Sequence, residues 1–509
     1  MSIKLFKTVL MWLLIMLLVA IGFTLFWLNN EVNKFWGAHT EVVNPDLFIN
    51  PQVHMALTNV NVLSVDGERM IPNQTVVINQ GLIESVGADF NVTAGIEMID
   101  ANGQFLIPGL IDSHVHLWQS PNDLLLYLAN GVTHVREMNG SEEHLNWKSE
   151  VTAGRPGPDL FVASRRHNNS GLIKGWFNRW TAKMNNAHDV DEIESDTLIL
   201  KNKGYDAIKI YTFLDKKFFQ AFNRAAPRIG MKLLGHIPIS MELSKVWGSN
   251  LKELAHIEEL VKALDREFGG YDSHSAESFL AFVEQRSDEV VSQLLKNDMA
   301  VVSTLNLVES FAGQKADISN ALHGVDLGFV NPGIIEATVP AIRVMGWLPE
   351  VNIYRLPADY PAVRKEGNQV YWKAYAHAHK ILLYAMAAKG VRVLAGTDAN
   401  VPVMVPGFSL HNELLSLTQA GMNQAQALRS ATSEPAKWMN LKIGSVQSGY
   451  QADLLLLDAN PLLDIENTQK IKAVINNGRL YEHQQLEVML NAVRAANDHS
   501  RKQSIAGFE

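Results

Sequence analysis

Hydrophobic positions follow three different patterns along the chain. From Val9 to Leu28 (VLMWLLIMLLVAIGFTLFWL) the residues are almost all apolar and none is charged. At 1.5 Å per helical residue this run covers the ~30 Å hydrocarbon core of a bilayer. Lys4 and Lys7 precede it, and Glu31 follows with only Lys34 nearby. That bias predicts a cytoplasmic N-terminus (1–8), a membrane anchor (9–28) and an exported, periplasmic or otherwise extracytoplasmic body. A cleaved signal peptide would use the small residues Ala20 and Gly22, but the apolar run continues through Phe23 to Leu28. An uncleaved single-pass anchor is therefore expected. Residues 29–51 are mixed and polar, and read as a linker.

A second pattern is short alternation. ALTNVNVLSV, QTVVINQGLIESVG and GIEMIDANGQFLIPG carry β-branched residues punctuated by Gly, Asn and Asp, which predicts antiparallel strands. The same texture returns in SVQSGYQADLLLLDANP and IKAVINNGRLYE. Residues 52–108 and 441–485 are thus expected to form one discontinuous β-sandwich built from both ends of the body. Between them, over 109–440, apolar strands alternate with helical stretches: LIDSHVH, GVTHVREM, LFVAS, AIKIYT, KLLGH, ELAHI, AVVSTL and VRVLAGT. This rhythm predicts an α/β architecture, a (β/α)8 TIM-type barrel. An insertion at 306–367 interrupts it. Phe329, Ile334, Ile335, Val339, Ile342, Trp347 and Leu348 make that insertion too apolar for disorder and predict a lid or a membrane-apposed surface. The tail, 486–509, begins helical and turns polar.

Composition narrows the function. Of the 509 residues 47% are hydrophobic, enough for a large core, and the net charge of −9 gives no basic footprint for nucleic acid. Cysteine is absent, which excludes disulfides, thiolate ligands, a catalytic thiol and lipid attachment through cysteine. That absence fits an oxidising compartment.

Active sites of such barrels lie at the C-terminal ends of the strands. His114 and His116 are two apart at one such end, so their imidazoles share a face. Lys209 shares its face with Ala207 and Tyr211 in AIKIY, while Ile208 and Ile210 point the other way. A lysine there is costly unless paired or chemically changed. KLLGH ends in His236, ELAHI carries His256, and VRVLAGTDA carries Asp398. Any one of these could be structural; Asp398 could cap a helix and Lys209 could snorkel. Together they predict a metal site. His377 and His379 repeat the spacing in a helical run, where residues two apart do not share a face, and are not expected to bind metal. Arg136 with Glu137 reads as a structural ion pair, and His411 with Glu413 as capping and packing residues.

The order HxH, Lys, His, His, Asp, inside a split β-sandwich, resembles the metal-dependent amidohydrolase superfamily over about 55–481. PGLIDSHVH, GVTHVREMNG, IKIY, LLGHIP, AGTDA and LHNELLSLTQAGMNQAQALRSATSEPAKWMNL carry the likeness, and details place it nearest the imidazolonepropionase-like and Xaa-Pro dipeptidase-like branch. The chain departs from that pattern at Leu254-Ala255, where relatives often have Ile-Glu, and at SRRHNN, where they have a glycine-rich loop. The resemblance implies two divalent metals, of which zinc is expected. His114, His116 and Asp398 would hold one, His236 and His256 the other, and Lys209 would bridge them as N6-carboxylysine formed with CO2. A metal-bridging hydroxide would attack a carbon–nitrogen bond of a small amide or peptide-like substrate, with Asp398 moving the proton. By position, Tyr211 reads either as an oxyanion donor or as rim packing, and Arg165 and Arg166 either as a clamp for a substrate carboxylate or as solvated surface residues. The alternatives are a dipeptidase or carboxypeptidase, a mononuclear deaminase that would leave Lys209 without a purpose, and a degenerate metal-free binding protein. All leave room for a homo-oligomer.

Overall fold

The computed structural model describes residues 3–88, 95–339, 343–344, 346–357 and 359–508. Alternation in the first and last parts of the body becomes a single mixed sheet. Met55–Leu63, Met70–Asn79 and Leu82–Gly87 form its antiparallel half, and Leu454–Leu457 returns from the far end to pair with Phe105–Pro108, followed by Ile471–Asn476 and Arg479–Glu482. Met55–Leu63 pairs first with Glu97–Asp100 and then, past register shifts around Val60, with Phe105–Pro108. Met55 and Leu57, Val76 and Ile78, and Leu454 and Leu456 lie two apart and point into a core separate from the main one.

All eight apolar strands expected in the middle are present: β1 (Leu110–Val115), β2 (Val132–Glu137), β3 (Asp159–Val162), β4 (Ala207–Ile210), β5 (Lys232–Gly235), β6 (Leu251–Leu254), β7 (Ala300–Val302) and β8 (Val393–Leu394). β1, β2 and β3 pair in parallel, and so do β4 to β8 in order. Two single parallel bridges link these groups, Ala163 with Ala207 and Val115 with Ala399. Ala163, Ala207, Leu234, Ala300, Val302 and Leu394 cluster on the inner face, whereas Ile208, Ile210, Leu233 and Val301 join the large core under the helices. The alternation that sends Ile208 and Ile210 outward sends Lys209 inward.

Two departures from the expected layout bear on the site. The N-terminal helix α1 (Ile3–Phe35) does not stop at Leu28, and 29–51 is not a loose tether. Its apolar span is uncovered by protein, but Val32, Phe35 and Trp36 are buried in the main core. The Trp36 ring meets Trp118 edge-on at 4.7 Å, its Nε1 donates to the Thr181 carbonyl, and its own carbonyl accepts from Gln119 N. Thr40 Oγ1 donates to Asn331 Oδ1, and Asn331 Nδ2 to the Gly37 carbonyl. The second departure is the insertion. Phe329, Ile334, Ile335, Trp347 and Leu348 are buried, so they form no exposed apolar surface. They pack between the end of α1 and the C-terminal helix His483–Ser500. Ile342 and the Val339 side chain lie outside the described residues.

Trp36 is the centre of this docking. Trp36→Ala is expected to cost about 3–5 kcal/mol, the usual range for emptying a buried tryptophan site. A lowered thermal unfolding midpoint and faster proteolysis near residue 36 in the full-length protein would report it.

Candidate metal centre

Close backbone approach brings the strand ends together. Gly235 adopts φ +135°, and a Cβ there would lie 2.1 Å from the Ile210 carbonyl oxygen. Only glycine lets β5 bring His236 against β4, where His236 N donates to that carbonyl. Gly396 likewise lets the end of β8 press on His114; a Cβ would sit 2.9 Å from His114 N. Asp398 N then donates to the His114 carbonyl at 2.7 Å, with Asp398 held at φ 57°, a left-handed conformation uncommon for aspartate. Asp398 therefore caps no helix; the next one begins at Phe408. Asp112 fastens the two strand ends, accepting from His114 N, Thr397 N and Thr397 Oγ1.

All six predicted residues converge. The His114 and His116 rings are 5.3 Å apart, His114 and His256 4.4 Å, and His236 and His256 5.2 Å. Lys209 Nζ lies 3.0 Å from His114 Nε2. Asp398 Oδ1 lies 3.0 Å from His116 Nε2 and 3.5 Å from His114 Nε2. The outer ring nitrogens are tied to the protein. His114 Nδ1 is 3.1 Å from the Ala255 carbonyl, which can only accept, so this nitrogen carries the proton and Nε2 offers its lone pair inward. His256 Nδ1 meets Thr304 Oγ1 at 3.0 Å, and His236 Nδ1 meets Thr212 Oγ1 at 2.9 Å and Glu259 Oε1 at 3.1 Å. His116 Nδ1 faces Glu137 Oε1 at 3.6 Å.

Burial fixes the charge states. It pulls the His114 and His236 imidazoles well below their usual value and His256 to about 4, leaving neutral rings. It also pulls the Lys209 amine to about 7, against the opposing pull of Asp398. Burial pushes the Asp398 carboxyl up, but His116, His256 and Lys209 outweigh it and hold it well below the usual carboxylate range. Asp398 Oδ1 is closed off from solvent without a well-formed hydrogen bond. His114, His116 and Asp398 offer two nitrogens and an oxygen within 4.8 Å of one another, which suits a divalent cation with nitrogen and oxygen preferences.

The substrate candidates separate. Tyr211 packs on His236 at 4.3 Å, and Arg166 stacks on Tyr211 and donates to its hydroxyl at 3.3 Å. Arg165 instead lines another cavity with His167, Arg179 and Tyr205. Arg136 and Glu137 do not pair with each other, since neighbours in a strand point to opposite faces. Arg136 forms a fully buried ion pair with Glu253 and stacks on Trp438, while Glu137 accepts from Leu117 N and Asn139 N beside His116. His379 is buried against the Tyr375 carbonyl and His411 between Thr468 and the Asn130 carbonyl, both away from the centre. Glu413 caps a helix other than its own, accepting from Leu305 N and Asn306 N. Sequence reasoning did not find Thr212, Glu259, Thr304 or Asp112. Asp112 stands two before His114, a signal that was available; the others come from separate segments with no local motif. A second group, His134 with Asp159 and Asp453, sits at the opposite strand ends, with Gln451 bridging Asp159 and Asn477.

A profile of the amidohydrolase family matches residues 287–481. That match covers less than half of the chain, and over it the chain is similar to the amidohydrolase family. An imidazolonepropionase of Idiomarina loihiensis is 44% identical over 66 residues, 12% of this chain and 16% of that protein. The chain thus matches only about a sixth of such a curated relative's length. Among solved structures, a bottromycin amidohydrolase superposes with a TM-score of 0.68 at 18% identity, covering 92% of this chain and 96% of that one. A Xaa-Pro dipeptidase with bound methionine in its active site gives 0.60 at 18% identity, covering 84% and 99%. These likenesses are of fold alone, and they extend over most of this chain.

Glu259 orients His236 from behind. Glu259→Ala is expected to weaken metal binding about 10–100-fold, the usual loss for such outer partners. Competition of the purified protein against a chromophoric chelator measures it; unchanged affinity would remove Glu259 from this role.

Proposed function

We propose that the protein is a membrane-anchored, metal-dependent amidohydrolase that cleaves a carbon–nitrogen bond in an amide other than a peptide bond. The observation that carries this reading is the convergence of four imidazoles, Asp398 and the Lys209 amine, with three of the imidazoles held from behind by Ala255, Thr212 with Glu259, and Thr304. His114, His116 and Asp398 would hold one zinc and His236 and His256 another. Lys209, carboxylated by CO2 with loss of a proton, would bridge them as an anion. Its low amine pKa supports this, because a neutral amine is the form that reacts with CO2. Bound divalent metals would polarise the scissile carbonyl and make water nucleophilic near neutral pH. Water adds to the carbonyl carbon, Asp398 takes its proton and passes it to the leaving nitrogen, and the carbon–nitrogen bond breaks to give acid and amine. Tyr211 would donate to the carbonyl oxygen as charge develops.

The architecture we infer is a closed (β/α)8 barrel at 109–440 with a β-sandwich from 52–108 and 441–485. The two bridges that complete the circuit from β1 through β8 back to β1, and the separate core of the mixed sheet, support it. The apolar span of α1, uncovered along its length yet continuous with a docked end, supports an uncleaved anchor, with the body outside the cytoplasm following from Lys4 and Lys7. Arg166 favours a second reading, a Xaa-Pro dipeptidase-like peptidase, because a guanidinium beside Tyr211 suits a free carboxylate.

The test is metal content and turnover of the full-length protein in detergent. About two zinc ions per chain are expected, with Lys209→Ala lowering that number and abolishing hydrolysis of N-acyl amino acids and cyclic amides. Cleavage of dipeptides alone would select the second reading, and a metal-free protein with an unmodified Lys209 would overturn both.

A further inference from the structure

Beside the end of the apolar span stands a helix that the proposed chemistry leaves unused. Helix α2 (Leu172–Thr181) carries Leu172, Ile173, Trp176, Phe177 and Trp180 along one face, and Ile173 is 87% and Trp176 60% exposed. Its other side rests on the body: Gly175 is buried, and a Cβ there would meet the Asn186 side chain at 2.3 Å. The body thus covers one side of α2 and leaves the row from Leu172 to Trp176 bare. Soluble surfaces seldom show such a row of large apolar side chains without a partner.

The partner follows from where the row lies. Trp180 Nε1 donates to Asn29 Oδ1, one residue past the apolar span, while the Lys183 amine reaches Asn33 Oδ1 and the Thr181 carbonyl accepts from Trp36 Nε1. Asn33 and Trp36 lie about 6–10 Å further along α1. From Trp180 onward the chain therefore climbs α1 away from its span. Followed backward, α2 leaves Asn29 on the side of the span, and exposure rises in that direction, from Phe177 at 37% to Ile173 at 87%. Charge agrees with that placement. At helical spacing Lys174 and Arg179 flank the row on opposite sides, and no acidic residue occurs between Asp159 and Asp189 in a chain of net charge −9. An apolar face with tryptophans, bordered by basic residues, is the pattern of a helix lying in an anionic membrane surface.

We propose that α2 is an interfacial helix, lying in the leaflet from which the end of α1 emerges. Leu172, Ile173, Trp176 and Phe177 enter the upper acyl chains, and Lys174 and Arg179 meet anionic headgroups. A lone span is free to tilt, and its tilt is set by the anchors at the interface. A second contact about 12 Å from Asn29 holds the body at one angle to the bilayer. This proposal rests on the reading of α1 as a membrane anchor.

The natural absence of cysteine allows a direct test. Three full-length variants are labelled with an environment-sensitive dye: Leu17→Cys in the span, Ile173→Cys in the row, and Leu441→Cys as an exposed control. Leu441 follows Trp438, whose carbonyl accepts from the Lys232 amine at the start of β5, so it marks the strand ends opposite Trp118. Each variant is reconstituted in phosphatidylglycerol–phosphatidylcholine vesicles whose acyl chains carry bromine either near the headgroup or near the methyl end. The expected result is loss of fluorescence at 17, greatest with the deep bromine, and at 173, greatest with the shallow one, with none at 441. Quenching at 17 without quenching at 173 overturns the proposal and leaves the anchor standing. Disulfide-linked dimers of Ile173→Cys in place of quenching assign the row to a second copy of the chain and overturn it too. No quenching at 17 overturns the anchor reading and the proposal with it.

Discussion

Everything at the centre depends on one buried amine. Strand alternation commits Lys209 to the inner face, where its Nζ ends 3.0 Å from His114 Nε2 and among four imidazoles. An ammonium there gives up hydration that neutral rings replace poorly, and burial accordingly pulls the amine to about 7. A charged lysine would also repel any cation the histidines could bind. The arrangement becomes coherent if the lysine changes sign, because an anion at that point is balanced by the metals the other five residues attract. The left-handed backbone at Asp398 and Thr304 fits the same picture, with strained residues at the site positioned by a rigid surround.

Support for that centre extends outward in layers. Ala255, Thr304, Thr212 and Glu259 orient the rings, and Asp112 ties β1 to the end of β8. Behind them Arg136 and Glu253 form an ion pair with no solvent access, stacked on Trp438. Such a pair gains little over apolar packing, but loss of one partner strands a buried charge, which fixes how β2 and β6 sit. The docked end of α1 adds a constraint of a different kind. Because Trp36 packs on Trp118, two residues beyond His116, the orientation of α1 and that of the candidate metal centre are coupled through a few contacts.

Much of this was legible in the sequence. The eight parallel strands follow from apolar runs, and the six converging residues follow from their recurrence at strand ends. The boundaries that failed did so for tertiary reasons. Residues 29–36 look polar enough for a tether, yet Val32, Phe35 and Trp36 are spaced to bury one side of a helix against a surface the sequence does not display. The insertion admitted an exposed apolar surface because Trp347, Ile334 and Ile335 are apolar, and apolar content does not tell a covered surface from an open one. Arg165 and Arg166 are adjacent, and only the fold decides that Arg166 turns to Tyr211 and Arg165 to another cavity. The exposed apolar row of Leu172–Thr181 was readable from LIKGWFNRWT, but its place beside α1 comes from the hydrogen bond of Trp180 to Asn29.

The central claim is that Lys209 is an anionic bridge between two metals. Crystals of the full-length protein, measured on both sides of the zinc absorption edge, test it most directly. The account predicts two anomalous peaks, one beside His114, His116 and Asp398 and one beside His236 and His256, with carboxyl density extending Lys209 between them. Metal-free crystals grown in excess zinc, with Lys209 ending in a plain amine beside His114, would contradict it.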